Sequence, residues 1–225
     1  MTAARTPDAA GPLVVRTREE LASALKGYRA AEQGVVLVPT MGALHDGHAA
    51  LLREGRGRGE ALVASVFVNP AQFGPGEDFD RYPRTFDADL QMCAREGVDV
   101  VFAPGVEEVY PGGEPQVSLD PGPLADELEG AVRPGHFRGV LVVVAKLFGL
   151  VRPDVAVFGQ KDYQQLVVIR QMVCDLAMGV EVVGVPTVRE GDGLALSSRN
   201  RYLSAADRQT ALALSRSLRA GADAA

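Results

Sequence analysis

The sequence has little of what several classes of protein require. Its only two cysteines, Cys93 and Cys174, lie in segments with helical patterns, which favours a reducing compartment over a disulfide framework. Acidic residues outnumber basic ones by 29 to 23, and the net charge of −6 argues against a nucleic-acid-binding surface. The most apolar stretch, Gly139 to Val151, is interrupted by Lys146 and is too short to span a bilayer. With no signal-peptide pattern near Met1, these features predict a cytoplasmic protein without membrane or nucleic-acid partners.

Motifs for two common kinds of site are also missing. The chain has three histidines, His45, His48 and His136, fewer ligands than a histidine-based metal site usually needs. It contains no Walker A sequence. The glycine-rich segment Gly55–Gly59 lies at a helix end and before a strand, so it indicates a turn rather than a dinucleotide-binding loop.

Short apolar runs alternate with helical patterns along the chain. The predicted strands are Val35–Val38, Ala61–Val68, Val98–Phe102, Val155–Phe158 and Val180–Val185. The predicted helices run through Leu51 and Leu52 and over Thr85–Glu96, Gly139–Leu150 and Tyr163–Leu176. This alternation predicts an α/β fold, a Rossmann-like parallel sheet with helices on both faces. Ligands of such sheets bind at the carboxyl ends of strands, near the point where strand order reverses.

Two irregular segments interrupt this rhythm. Asn69–Pro83 is a long loop rich in Gly, Pro and Asp, and long loops in compact domains are often functional. Pro186–Leu203 is the second, and it precedes a helix that Ser204 could cap. We place a domain boundary near Pro186.

The first candidate site follows the strand at Val35–Val38. His45 and His48, with Gly47 between them, sit where the strand turns into a helix. The helix N-terminus offers unpaired N–H groups to a phosphate, and the imidazoles could donate to the α-phosphate or protonate departing pyrophosphate. The alternatives are a pair of partly exposed turn histidines and a metal site.

Similar polar segments follow two further strands. One segment, at the start of a helix, contains Gly159, Lys161 and Asp162. Lys161 could act as a mobile charge on phosphate oxygens. Alternatively, the segment is a solvated helix start in which Asp162 is only the cap. Ser197-Ser198-Arg199 could form a second clamp for a polyphosphate, or only a polar hinge. Because all three segments follow parallel strands, their joint interpretation as one ATP site is stronger than any one alone.

Two amides are candidates for binding a second substrate. Gln72 lies in the long loop, and Gln165 lies one helical turn beyond Asp162. Neutral amides suit a hydroxylated, carboxylate-bearing ligand, but residue type alone favours a surface side chain for each.

Together these residues resemble the pantothenate synthetase (pantoate–β-alanine ligase) family of the HxGH nucleotidyltransferase superfamily. The resemblance runs from Val35 to Leu203 almost without a gap. The segments that carry it are Val38–His48, Phe67–Gly74, Arg133–Val140, Phe158–Leu166, Gly184–Glu190 and Leu196–Leu203.

The resemblance implies an enzyme that condenses pantoate with β-alanine in two steps. The pantoate carboxylate attacks the α-phosphorus of MgATP, and the β-alanine amine then attacks the pantoyl adenylate, releasing AMP. The implied catalytic residues are His48 as proton donor with His45, Lys161, Ser197, Ser198 and Arg199. The implied ATP-binding residues are Pro39, Thr40, Met41, Gly42, Ala43, Leu44, His45, Asp46, Gly47, His48, Gly159, Gln160, Lys161, Asp162, Val188, Leu196, Ser197, Ser198 and Arg199. Gln72 and Gln165 would hold pantoate, and Gln72 would also face β-alanine.

The chain departs from the family at several positions. Gln160 stands where many relatives have glutamate, Ala71 and Leu196 where many have methionine, and Ala88 in a run that is more acidic in some. The resemblance therefore assigns no metal ligand from the helix around Ala88, and the Mg²⁺ ligands stay unknown.

The resemblance also bears on domains and partners. Relatives continue past residue 225 into a small α/β lid, which implies a Rossmann-like ATP- and pantoate-binding domain at 1–186. Residues 187–225 would then be the hinge, the Ser-Ser-Arg loop and the first helix of a truncated C-terminal domain. The family implies a homodimer. Two alternatives stay open: another nucleotidyltransferase of the superfamily, and a domain that binds ATP or pantoate without turnover.

Overall fold

The computed structural model describes residues 11–224. The strands are β1 (Leu13–Val15), β2 (Val35–Thr40), β3 (Ala61–Val66), β4 (Val100–Phe102), β5 (Val155–Gly159) and β6 (Glu181–Val185). The helices are α1 (Arg18–Ala30), α2 (Asp46–Arg56), α3 (Phe86–Arg95), α4 (Val106–Val109), α5 (Leu128–Val132), α6 (His136–Val151), α7 (Tyr163–Asp175) and α8 (Ala205–Asp223). No helix among the described residues is both long and apolar enough to cross a membrane.

The six strands form one sheet in the order β1-β4-β3-β2-β5-β6, with every neighbouring pair parallel. From β2 the chain proceeds outward through β3 and β4 on one side and, later, through β5 and β6 on the other. The strand order therefore reverses between β2 and β5. The crevice at their carboxyl ends is where parallel sheets of this kind bind ligands.

The sheet separates two apolar layers. Alternate residues of β2 point to opposite faces, so Val35 and Leu37 pack with α1, α6 and α7, whereas Val36 and Val38 pack with α2 and α3. Because helices cover both faces, all but one residue of each of β2, β3 and β5 is buried, as their continuous apolar sequences predict. The α/β fold class is confirmed.

The predicted strands and helices are all present, with bounds shifted by up to three residues. The sequence patterns predicted neither β1 and α1 nor the short helices α4 and α5. The signal for α1 is nevertheless local: Thr17 caps the helix by accepting from the Glu20 N–H, and the Glu20 carboxylate accepts from the Thr17 N–H. Leu21 and Leu25, four residues apart, bury its inner face.

The two predicted irregular segments contain short ordered turns, and the second also contains an isolated antiparallel bridge between Arg189 and Ala195. A 3-10 turn covers Pro70–Gln72 in the first, and another covers Ser198–Tyr202 in the second. Ser204 caps α8, as its position predicts. Arg208 of α8 binds Glu190 and Asp192 at 2.6 and 2.8 Å, so the helix is tied to the segment that follows β6.

Candidate active site

A cavity of about 240 Å³ lies at the carboxyl ends of β2 and β5, where the strand order reverses. It brings together three of the segments that the sequence identified and both amides. The predicted residues that line it are Pro39, Thr40, Met41, His45, Gly47, His48, Gln72, Gly159, Lys161, Asp162, Gln165, Val188, Leu196, Ser197, Ser198 and Arg199. Gly42, Ala43, Leu44, Asp46 and Gln160 lie outside its lining.

The two histidines form the N-terminal cap of α2. His45 Nδ1 accepts a hydrogen bond from the Gly47 N–H at 3.1 Å, and His48 Nδ1 accepts from the His45 N–H at 3.2 Å. Because each Nδ1 is an acceptor, each neutral ring carries its hydrogen on Nε2. Their ring centroids are 4.2 Å apart. The cap thus leaves two Nε2–H donors side by side at the cavity.

Their environment keeps both imidazoles neutral. Burial, followed by the charges of His45 and Lys161, lowers the pKa of His48 to about 3. Burial and the nearby Lys161 also lower the pKa of His45. Without a ligand, His48 is therefore a hydrogen-bond donor rather than a cation at neutral pH. A bound polyphosphate would favour the charged ring and raise these pKa values again.

A buried carboxylate of α3 binds the backbone of Ala43 and Leu44. Asp89 accepts from the Ala43 N–H at 3.0 Å and from the Leu44 N–H at 2.8 Å. Thr40 Oγ1 accepts from the Gly42 N–H at 3.1 Å. These contacts shape the turn that presents the histidines. Asp89 lies inside the predicted helix Thr85–Glu96, and no local pattern reports a partner 45 residues away.

Lys161 lies beside the histidines and contacts its own neighbour. Its Nζ is 2.9 Å from Asp162 Oδ1. Asp162 occupies the N-cap position of α7 but makes no capping hydrogen bond with its side chain. Gln160 points elsewhere, since its amide donates to the Gly184 carbonyl at 3.3 Å.

The Ser-Ser-Arg segment contacts two other parts of the site. Ser198 Oγ donates to the Ala43 carbonyl at 2.9 Å, which links this segment to the turn before the histidines. Arg199 makes two hydrogen bonds to Asp78, at 2.8 and 2.9 Å, and lies over the Tyr82 ring at 5.4 Å. Arg199 holds the pKa of the Asp78 carboxyl below its usual value. The long loop and the Ser-Ser-Arg segment therefore meet across the cavity.

Gln72 and Gln165 line the same cavity. Gln72 Oε1 accepts from Asn69 Nδ2 at 3.0 Å, and its Nε2 lies 3.3 Å from Met41 Sδ. Both amides therefore lie in the cavity rather than on an unrelated surface, and Gln72 contacts Met41 of the turn before α2.

Sequence reasoning missed a second polar group in the lining. Arg133 pairs with Glu77 at 2.6 Å and with Glu129 at 2.8 Å, and His136 Nδ1 lies 2.8 Å from the Gln72 carbonyl. Arg133 and His136 both belong to the segment Arg133–Val140. That segment contributed to the family resemblance, but no function was assigned to its residues.

An apolar wall also lines the cavity and was not predicted as part of the site. Its residues are Phe67, Phe158, Val140, Val143, Val144 and Leu147. The apolar spacing in α6 predicted a buried helix. It did not predict that part of one helix face borders the cavity.

The described residues contain no group of three His, Cys, Asp or Glu side chains that could hold a metal ion. Glu129 and Asp162 line the cavity, and Glu77 and Asp78 pair with its arginines. Each of these four carboxylates contacts a basic side chain. The described part of the protein thus offers no preformed cation cage here.

Comparisons with known proteins agree on one family. The model of the pantoate-beta-alanine ligase family matches residues 13–225. A pantothenate synthetase of Nocardioides sp. is 68% identical over 213 residues, covering 92% of this chain and 64% of that protein. One of Streptomyces coelicolor is 62% identical, covering 94% of this chain and 62% of that protein. The chain thus spans less than two thirds of these relatives' lengths.

Solved structures are similar too. The crystal structure of a Thermus thermophilus pantothenate synthetase has a TM-score of 0.83 at 57% identity, covering 91% of this chain and 72% of that one. The Francisella tularensis pantoate-beta-alanine ligase, complexed with beta-gamma ATP and beta-alanine, has a TM-score of 0.86 at 36% identity, covering 92% and 79%.

Proposed function

We propose that this chain, which belongs to the pantoate–β-alanine ligase family, carries the adenylating site of an ATP-dependent ligase that condenses pantoate with β-alanine. The products would be pantothenate, AMP and pyrophosphate, formed through a pantoyl adenylate. The observation that carries the proposal is the shared cavity. Two capping histidines, Lys161, the Ser-Ser-Arg segment and two amides line one volume at the strand-order reversal.

The site would act first on the α-phosphate. One oxygen of the pantoate carboxylate attacks the α-phosphorus, and the bond to the bridging oxygen breaks, so that pyrophosphate leaves with the electron pair. Negative charge accumulates on the phosphate oxygens during this step. The Nε2–H groups of His45 and His48 and the ammonium of Lys161 line the cavity and would stabilise that charge.

The second step would not require a covalent bond between the substrate and a side chain of the protein. The β-alanine amine attacks the acyl carbon of the adenylate, AMP leaves, and the nitrogen loses a proton. Positioning supplies most of the rate, because the two reactants are held in one cavity. Exclusion of water prevents hydrolysis of the adenylate, and this gives the long loop and the Ser-Ser-Arg segment a gating role.

The cavity suits a branched hydroxy acid. The amides of Gln72 and Gln165 would bind its carboxylate and hydroxyls, and the apolar wall of α6 would contact its methyl groups. The Francisella tularensis complex with beta-gamma ATP and beta-alanine supports ATP and β-alanine as ligands of this chain.

Mg²⁺ fits this site as part of the nucleotide complex. Since the carboxylates at the cavity already contact basic side chains, phosphate oxygens and water would supply its ligands. It would neutralise charge on the β- and γ-phosphates.

We also propose that residues 1–186 form the ATP- and pantoate-binding domain and 187–225 the hinge, Ser-Ser-Arg loop and first helix of a lid domain. The contacts of Arg208 with Glu190 and Asp192 support this division. By family likeness we propose a cytoplasmic homodimer.

The deciding experiment measures exchange of labelled pyrophosphate into ATP without β-alanine. Pantoate-dependent exchange is expected, because it reports reversible formation of the adenylate even if later steps are slow. Exchange supported by a phosphorylated acceptor instead of pantoate would favour another nucleotidyltransferase. Binding of ATP and pantoate without exchange would indicate a domain that recognises its substrates but does not react.

His48→Ala is expected to lower the exchange rate by about two to three orders of magnitude, as loss of a donor to a developing oxyanion does. Circular dichroism and ATP binding check that the fold and the site persist. An unchanged rate in a folded His48→Ala variant would contradict the role of this residue.

A further inference from the structure

A line of buried polar side chains connects the cavity to the core behind it. The Tyr110 hydroxyl donates to Asn69 Oδ1 at 2.7 Å, and Asn69 Nδ2 donates to Gln72 Oε1 at 3.0 Å. Tyr110 and Asn69 are 4% and 1% exposed. Tyr110 thus reaches Gln72 through one intermediate residue.

Two backbone groups fix which way the Asn69 amide points. Its Oδ1 accepts from the Ala71 N–H at 3.2 Å, and its Nδ2 donates to the Gly139 carbonyl at 3.2 Å. An amide N–H can only donate and a carbonyl can only accept, so exchanging the oxygen and nitrogen of Asn69 would break both contacts.

The Asn69 amide in turn decides the direction of Gln72. Because Asn69 Nδ2 is a donor, the atom of Gln72 that faces it must be Oε1. The Gln72 Nε2 is then directed away from Asn69, on the side of Met41 in the cavity lining. Gln72 therefore offers N–H donors to a ligand, which suits carboxylate or hydroxyl oxygens.

We propose that Tyr110 is a positioning residue that holds Asn69 and, through it, keeps the donor end of the Gln72 amide turned into the cavity. The proposal rests on the proposed function, in which Gln72 binds pantoate. The Tyr110 hydroxyl is one of only two donors to Asn69 Oδ1 among the described residues, so its loss leaves Asn69 with its two backbone contacts and weakens the hold on Gln72.

Neighbouring side chains also hold the Tyr110 ring in place. Its ring centroid lies 6.2 Å from that of Phe67, and Lys146 Nζ lies 5.5 Å from the Tyr110 centroid. Burial raises the pKa of Tyr110 to about 12, so the hydroxyl keeps its donor hydrogen across the physiological range.

The test compares ligand binding in wild type and Tyr110→Phe by calorimetry, with a non-hydrolysable ATP analogue and with pantoate. We expect pantoate to bind about three- to tenfold more weakly, the range of one lost hydrogen bond, and the nucleotide to bind within about twofold of wild type. Tyr163→Phe, which removes a hydroxyl from a residue that is 59% exposed, should change neither. Equal weakening of both ligands, or no weakening, would overturn the proposal.

A double-mutant cycle isolates the route through Gln72. In a Gln72→Ala background the Tyr110→Phe change should have no further effect on pantoate binding, because there is no amide left to orient. A full additional effect would show that Tyr110 acts otherwise. Gln72→Glu, which replaces the cavity-facing donor by an oxygen, should bind pantoate more weakly than Gln72→Ala; tighter binding would contradict the stated orientation.

A spectroscopic readout keeps this inference separable from the proposed function. The side-chain amide resonances of Asn69 and Gln72, observed without any ligand, should shift in Tyr110→Phe and stay unchanged in Tyr163→Phe. Unchanged Gln72 signals would overturn the positioning role even if the enzyme is active. Shifted signals in a protein that binds no pantoate would instead contradict only the proposed function.

Discussion

At the scale of single residues, the two cavity histidines serve structure and chemistry with the same atoms. Their Nδ1 atoms accept from the Gly47 and His45 N–H groups and so cap α2. Protonation replaces an acceptor by a donor and removes each capping contact. The folded state therefore favours neutral rings, in agreement with the lowered pKa values.

This linkage predicts how stability depends on pH. The pKa of His48 is about 3 in the folded protein and near 6.5 when unfolded, so its contribution is complete above pH 6.5 and is lost as the pH falls from there toward 3. Urea denaturation should show a free energy of unfolding that falls by up to about 1.4 kcal/mol per pH unit for this proton.

The matched variant is His48→Asn, which can still cap the helix but does not titrate. Between about pH 5 and 6.5 its stability should decline less steeply than that of wild type. Carboxyls with lowered pKa values, such as Glu77 and Asp78, lose their contributions only below this range. Parallel slopes for the two proteins would contradict the linkage.

Residue types and spacing indicated His45, His48 and Lys161, because each follows a strand end, and all three line the cavity. Residue type alone did not place the two amides there, and His136 was missed. Residue types and spacing could not predict the roles of Asp89, Arg133 or Tyr110. Each of these acts through a partner 41 to 56 residues away in sequence. No local pattern encodes such a pairing.

At the scale of elements, α6 illustrates how packing fixes the site. Gly139 faces the 3-10 turn at Pro70–Gln72, and a Cβ there would lie 2.0 Å from the Ala71 carbonyl oxygen. The glycine permits the close approach that lets Asn69 reach the Gly139 carbonyl. The apolar sequence of α6 predicted a buried helix but not this contact.

Two glycine substitutions in α6 should have opposite effects. Gly139→Ala is expected to destabilise the fold by about 1–3 kcal/mol, since backbone atoms must move apart. Gly149→Ala, at an exposed position with nothing within 4 Å, should stabilise it by about 0.5–1 kcal/mol through helix propensity. Denaturant midpoints measure both, and equal effects would refute the packing argument.

At the scale of the whole molecule, the sequence predicted a parallel sheet but not the order of its strands. The alternation of elements predicted a parallel sheet with ligands at its carboxyl edge, and the cavity is there. The contacts that join the two irregular segments, such as Arg199 with Asp78 and Tyr202 with the Arg81 carbonyl, span 121 residues and depend on the assembled fold.

Asp78→Asn tests the joining of these segments. Arg199 forms an ion pair with Asp78, and a polyphosphate that binds Arg199 must compete with this carboxylate. The substitution weakens the ion pair, so ATP should bind about two- to fivefold more tightly, within the usual range for partly exposed pairs. Asp192→Asn, which alters an ion pair with Arg208 of α8, is the matched control and should leave ATP binding unchanged. Weaker ATP binding in Asp78→Asn would show that the carboxylate itself supports the nucleotide.

The pairing of Lys161, Arg133 and Arg199 with carboxylates also bears on how a ligand arrives. Neutralised side chains exert little field beyond the cavity, and the chain as a whole carries a charge of −6. A polyanion therefore gains no electrostatic attraction on its way to this site, and its rate of binding should not fall as ionic strength rises. A preference for a triphosphate over a single phosphate should then appear in the dissociation rate rather than in the association rate. The reason is that only a ligand with several anionic groups can replace several carboxylates as partners of these basic side chains.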